Sequence, residues 1–82
     1  MNPFEKIAYA KREHQIACTQ IMVLSKQIKN YEQAKRRFPG NKQITKMISD
    51  CRKQLAFYSA RKMGIESWFR EVQESVEDKK KD

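Results

Sequence analysis

The sequence predicts an all-α protein. Two long antiparallel helices fold into a coiled-coil-like helical hairpin, and a second copy is expected to complete a four-helix bundle. Three observations lead there. An apolar seam in three-four spacing runs through each half of the chain, a Phe38-Pro39-Gly40-Asn41 stop signal separates the two seams, and the 82 residues contain only two glycines and two prolines. The whole chain, 1–82, reads as one small domain, near the size at which a single core is only marginally stable.

The first helix is expected over about 3–38. Asn2 is placed to cap it, and Pro3 suits the first helical turn because its missing N–H would lack a helical partner there anyway. Its seam is Ile7, Ala10, His14, Ala17, Ile21, Leu24, Ile28, Tyr31, Lys35 and Phe38, apolar except at His14 and Lys35. This three-four alternation is the a/d pattern of a coiled coil and not the period of a strand. Pro39 disfavours helical dihedrals at Phe38, so the helix should end there.

The turn is expected over 38–41, with Gly40 free to take the left-handed conformation and Asn41 capping the second helix. That helix is then expected over about 41–78, with a frayed tail at 79–82. Its seam is Ile44, Ile48, Cys51, Leu55, Tyr58, Lys62, Ile65, Phe69, Val72 and Val76, polar only at Lys62. Gly64 costs about 1 kcal/mol relative to alanine inside a helix. The seam passes it without a phase slip, so a continuous or gently kinked helix is expected.

Folding at Pro39-Gly40 suggests a register. Phe38 would face Ile44, Tyr31 would face Cys51, Leu24 Tyr58, Ala17 Ile65 and Ala10 Val72. His14 would lie opposite Phe69 in an interleaved layer. Cys51 then lies thirteen residues in level from Cys18, roughly 20 Å at 1.5 Å per residue, well beyond disulfide reach. Glu66, Glu71, Glu74 and Glu77 fall level with Lys6, Lys11 and Arg12, where cross-hairpin ion pairs would favour the antiparallel arrangement.

Apolar residues remain outside the seam. Tyr9, Ile16 and Val23 recur every seven residues, and Phe57, Met63 and Trp68 lie off the second seam. Six such residues away from the turn mark an expected oligomer interface, most simply a homodimer.

Charge is distributed in the opposite sense. The chain has 18 lysines and arginines against 10 acidic residues, a formal charge of +8, and a pI near 9.7. Residues 26–62 alone carry eleven basic and two acidic side chains, a surplus of +9. Lys35, Arg36 and Arg37 suit a helix C-terminus, but Lys42 and Lys46 stand at a helix N-terminus, where cations are unfavourable. With Arg52, Lys53 and Arg61, these eight are the candidate contacts for nucleic acid or an acidic protein. Aromatic rings beside the basic residues, Phe38 and Tyr58 among them, would suit base stacking, but as seam residues they are assigned to the core.

Chemistry finds little support in the sequence. One histidine on the seam, even with Glu13 and Glu66 able to approach it, supplies no nucleophile with an ordered base. Two cysteines 33 residues apart do not form a metal motif. No cofactor, metal or small-molecule substrate is expected, and no enzyme activity. The apolar runs are too short to span a membrane, and the N-terminus lacks a signal-peptide core. An intracellular, cytoplasmic setting is therefore expected. Attachment to a membrane surface is disfavoured, since the basic and apolar surfaces occupy different halves. The leading reading is a small basic helical protein that holds nucleic acid by its phosphate backbone, with little sequence preference. The alternative is an adaptor or inhibitor, in the style of phage or mobile-element regulators, that docks on an acidic host protein.

Overall fold

In a computed structural model the chain forms two helices, α1 (Pro3–Arg37) and α2 (Lys42–Lys81), packed side by side along one seam. The backbone is described for residues 2–81 and the side chains for residues 2–75. The pair measures 64 × 22 × 14 Å. No strand occurs among the described residues, and no helix among them is long and apolar enough to cross a membrane.

The expected caps are present. Asn2 Oδ1 accepts from the Glu5 N–H at 2.8 Å while Glu5 Oε2 accepts from the Asn2 N–H at 3.3 Å, a reciprocal capping box around Pro3. Asn41 Oδ1 accepts from the N–H groups of Gln43 and Ile44 and so starts α2. Two details of the turn differ. Gly40 does not have a positive φ. Phe38 is not a seam residue but the C-cap of α1, with φ −130° and ψ 68°. Its N–H donates to the Ala34 carbonyl and its own carbonyl accepts from the Asn41 N–H, while 61% of the residue stays exposed. Helix α2 is unbroken at Gly64 and continues to Lys81, beyond the end expected near residue 78. The fraying expected at 79–82 falls on residues whose side chains lie outside the described part.

Polar contacts cross the hairpin at four levels. Glu32 meets Arg52, Gln27 meets Cys51, His14 meets Glu66 and Glu13 meets Arg61. The residue numbers in these pairs add to 84, 78, 80 and 74, centred on 79, which is also the value for the facing helix ends Arg37 and Lys42. Level partners are therefore Tyr31 with Ile48, Ile28 with Cys51, Leu24 with Leu55, Ala17 with Lys62 and Ala10 with Phe69. The expected pairings of Tyr31 with Cys51, Leu24 with Tyr58 and Ala17 with Ile65 stand three higher in the sum, within the span of these four contacts.

The core is thin. Ala17 is fully buried, Leu24, Ile48 and Cys51 nearly so, and the other seam residues from Ile7 to Tyr31 and from Ile44 to Val72 are half-buried. Lys35 and Phe38 are exposed, and Val76 lies outside the described side chains. Half-buried Lys62 is level with Ala17, the smallest side chain of the first seam's middle. That leaves room for its aliphatic stem while the ammonium turns outward to Glu66 at 3.4 Å. The exposed surface totals 6972 Å², whereas a compact monomer of 9.8 kDa exposes roughly 5,200 Å².

Candidate functional site

Two grooves follow from the register, one in each half of the hairpin. Near the turn, Lys35 from the end of α1 lies beside Thr45, Ile48, Ser49, Arg52, Lys53 and Ala56 of α2 around a depression of about 400 Å³. The spacing of Thr45, Ser49, Arg52 and Ala56 puts them on one face of α2, at 3.6 residues per turn. Ile48 and Ala56 make an apolar floor, two hydroxyls supply donors, and three cations stand at the rim. Arg52 donates to Glu32 at 2.8 Å, but both side chains are largely exposed. An exposed pair of this kind is worth only ~0–1 kcal/mol, so Arg52 is easily released to a competing anion.

Of the eight candidate cations, Lys35, Arg52 and Lys53 share this groove. Lys42 and Lys46 are exposed on the first turns of α2, which contain no acidic residue. Arg36 is exposed on the last turn of α1, and Arg37 lines a separate depression with Asn30, Gln33, Ala34 and Phe38. Arg61 does not belong with them. It donates to Glu13 at 2.6 Å and stands at the edge of the other groove, in the open half. The sequence reading missed Thr45 and Ser49, although their three-four spacing with Arg52 was the signal that pointed to them.

In the open half, Tyr9, Ala10, Glu13, Arg61, Gly64, Ile65 and Trp68 surround a depression of about 260 Å³. Gly64 contributes by omission, since nothing lies within 4 Å of where a β-carbon would sit. Phe57 lies eleven residues before Trp68, three turns away and on nearly the same helix face. Tyr9, Ile16, Val23 and Phe57 are all about half exposed. Met63 is not part of this surface. It stands roughly 140° around α2 from Trp68 and is 68% exposed.

The ion pairs also differ from expectation. Among the described residues, Glu66, Glu71 and Glu74 make no pair with Lys6, Lys11 or Arg12; Glu77 lies outside the described side chains. Instead α1 supplies the acids, Glu13 and Glu32, and α2 the arginines.

His14 lies between two partners. Its Nε2 is 3.0 Å from Glu66 Oε1, and its Nδ1 is 3.8 Å from the Cys18 sulfur. If Nε2–H donates to the carboxylate, Nδ1 is the acceptor that faces the thiol. The hydrogen bond from His14, opposed by partial desolvation and assisted by Lys62, lowers the Glu66 carboxyl below its ordinary range. The three groups are spread either side of the imidazole and do not converge on a point. Accordingly, no group of three metal-ligating side chains is placed to hold a metal ion among the described residues. The backbone N–H groups around Cys18 and His14 are spent within the middle of α1, so this trio has no neighbouring pair of oxyanion donors. Both cysteines are free thiols.

No protein-family model, curated protein or solved structure matches the chain.

Proposed function

We propose that this chain is a non-catalytic helical scaffold that binds nucleic acid by its phosphate backbone through the turn half, and that two copies join through the open half into a four-helix bundle. The observation that carries the first part is the groove of Lys35, Arg52 and Lys53 with the Thr45 and Ser49 hydroxyls. Cations and hydroxyls around a shallow groove are the usual partners of phosphate oxygens, and they need no base contact. Exposed Arg36, Arg37, Lys42 and Lys46 extend the same field over the tip.

What supports the dimer is the mismatch between surface and mass. The exposed area exceeds that of a compact monomer by roughly 1,800 Å², on the scale of a stable protein interface. The spare apolar residues, Tyr9, Ile16, Val23, Phe57 and Trp68, share one face, and the single ion pair on that face already satisfies Arg61 and Glu13.

Fluorescence anisotropy with labelled DNA and RNA tests the binding. If about six cations each release a counterion, raising salt from ~50 to ~200 mM weakens affinity on the order of a thousandfold. The double reversal Lys35→Glu, Lys53→Glu should weaken binding at least about tenfold at ~50 mM salt, with the helical circular dichroism unchanged. No binding to either nucleic acid at low salt would refute the reading and favour an acidic protein as the partner.

A further inference from the structure

The exposed ring at the tip opens a second kind of contact, one that depends on the nucleic-acid reading above. Spacing alone assigns Phe38 to the core; the structure turns it out of the seam. Phe38 caps α1 with φ −130° and ψ 68°, is followed by Pro39, and is 61% exposed at the end of that helix. There it bounds a depression of about 250 Å³ with Asn30, Gln33, Ala34 and Arg37. The backbone beneath it is fixed on both sides, by a 2.9 Å bond to Ala34 and a 3.1 Å bond from Asn41.

An exposed phenylalanine alone means little. Its neighbours give this one a chemical meaning. Asn30 and Gln33 each present a donor and an acceptor side by side, the pattern that pairs with the edge of a nucleobase. Arg37 offers a forked cation for the adjoining phosphate. An aromatic face, two carboxamides and a guanidinium around one depression match a base with its phosphate better than they match a phosphate alone. A base stacked inside a duplex does not offer its face to a ring.

We propose that Phe38, Asn30, Gln33 and Arg37 form a binding site for an unpaired nucleobase, so that the tip prefers single-stranded nucleic acid. Phe38 stacks on the base, the two carboxamides meet its edge and Arg37 holds its phosphate. The Lys35–Lys53 groove tracks the neighbouring phosphates of the strand.

The test compares anisotropy of the full chain with three labelled probes of equal length: a single-stranded oligonucleotide, the same backbone carrying abasic sites, and a duplex. The single strand should bind roughly five- to 150-fold more tightly than the abasic strand. Phe38→Ala should remove that advantage and leave abasic affinity and helicity unchanged, while Phe38→Trp should keep it. Equal, salt-sensitive binding of single-stranded and abasic probes would overturn the base site and leave the backbone reading standing. Tighter binding to the duplex would do the same. No binding to any probe at ~50 mM salt would overturn both.

Discussion

Near the turn, the hairpin surrounds an apolar floor of Ile48 and Ala56 with Lys35, Arg52 and Lys53, and it places more cations beyond them on both helices. In the open half the floor is Ala10, Gly64 and Ile65, and the walls are Tyr9 and Trp68. Among the residues lining it, Arg61 is held by Glu13. Both halves rest on the same seam of half-buried residues, so the seam does not explain the difference between them. Side chains just outside it do. Where cations outnumber their acidic neighbours they repel one another. Where rings and a glycine share a face, water is the least favourable neighbour. One folded rod thus presents two surfaces of opposite character.

Leu24→Ala should break the comparison at its root. Leu24 and its level partner Leu55 lie where the halves meet, and Leu24 is nearly fully buried. A loss of about 2–5 kcal/mol is expected, seen as a fall in the urea midpoint with nucleic-acid binding and self-association lost together. Phe38→Ala should stay within about 0.5 kcal/mol of the unmodified chain. Comparable losses at both positions would mean that Phe38 packs in the seam after all.

A smaller effect separates the faces of the open half. Replacing Tyr9 and Trp68 together by alanine should weaken the dimer on the order of 30-fold or more, read as a fall in mass by light scattering over a dilution series. Met63→Ser should leave the mass unchanged, because Met63 lies around the helix from that face. The reverse outcome would move the interface to the His14–Glu66 side.

The smallest effect is acid-dependent. Hydrogen bonding from His14, with help from Lys62, holds the Glu66 carboxyl below its ordinary range in the folded chain. A carboxyl lowered on folding stabilises the fold at pH values above its unfolded value, and that contribution disappears as pH falls through the folded value. Glu66→Gln should therefore lower the urea midpoint slightly at neutral pH and leave it unchanged in acid below the carboxylate range. A difference that persists in acid would mean that Glu66 acts by packing and not by charge.

Much of the fold was legible from the sequence. The seam residues Ile7 to Tyr31 and Ile44 to Val72 are all at least half-buried, and Asn2 and Asn41 cap the helices as their side chains allow. Gly64 sits within an unbroken helix because propensity is a small term beside a continuous apolar seam. The candidate site was legible only in part. Lys35, Arg52 and Lys53 were marked by charge, whereas Thr45 and Ser49 were passed over, having no charge to mark them. Arg61 falls within the basic stretch 26–62 of the sequence, but only the fold shows the acid, Glu13, across from it. Met63 and Trp68 both lie off the second seam, but five residues of helix turn them to different sides.

The order of apolar and polar residues by itself determined two helices, their caps, the bend and the excess of positive charge near it, because these depend on neighbours within a turn or two along the chain. The tertiary structure decided which levels face each other, which cations are already paired and where the Phe38 ring points. Those outcomes depend on how two rods slide against each other. A slide of one or two residues per helix changes every cross-hairpin neighbour while leaving each helix's own pattern intact.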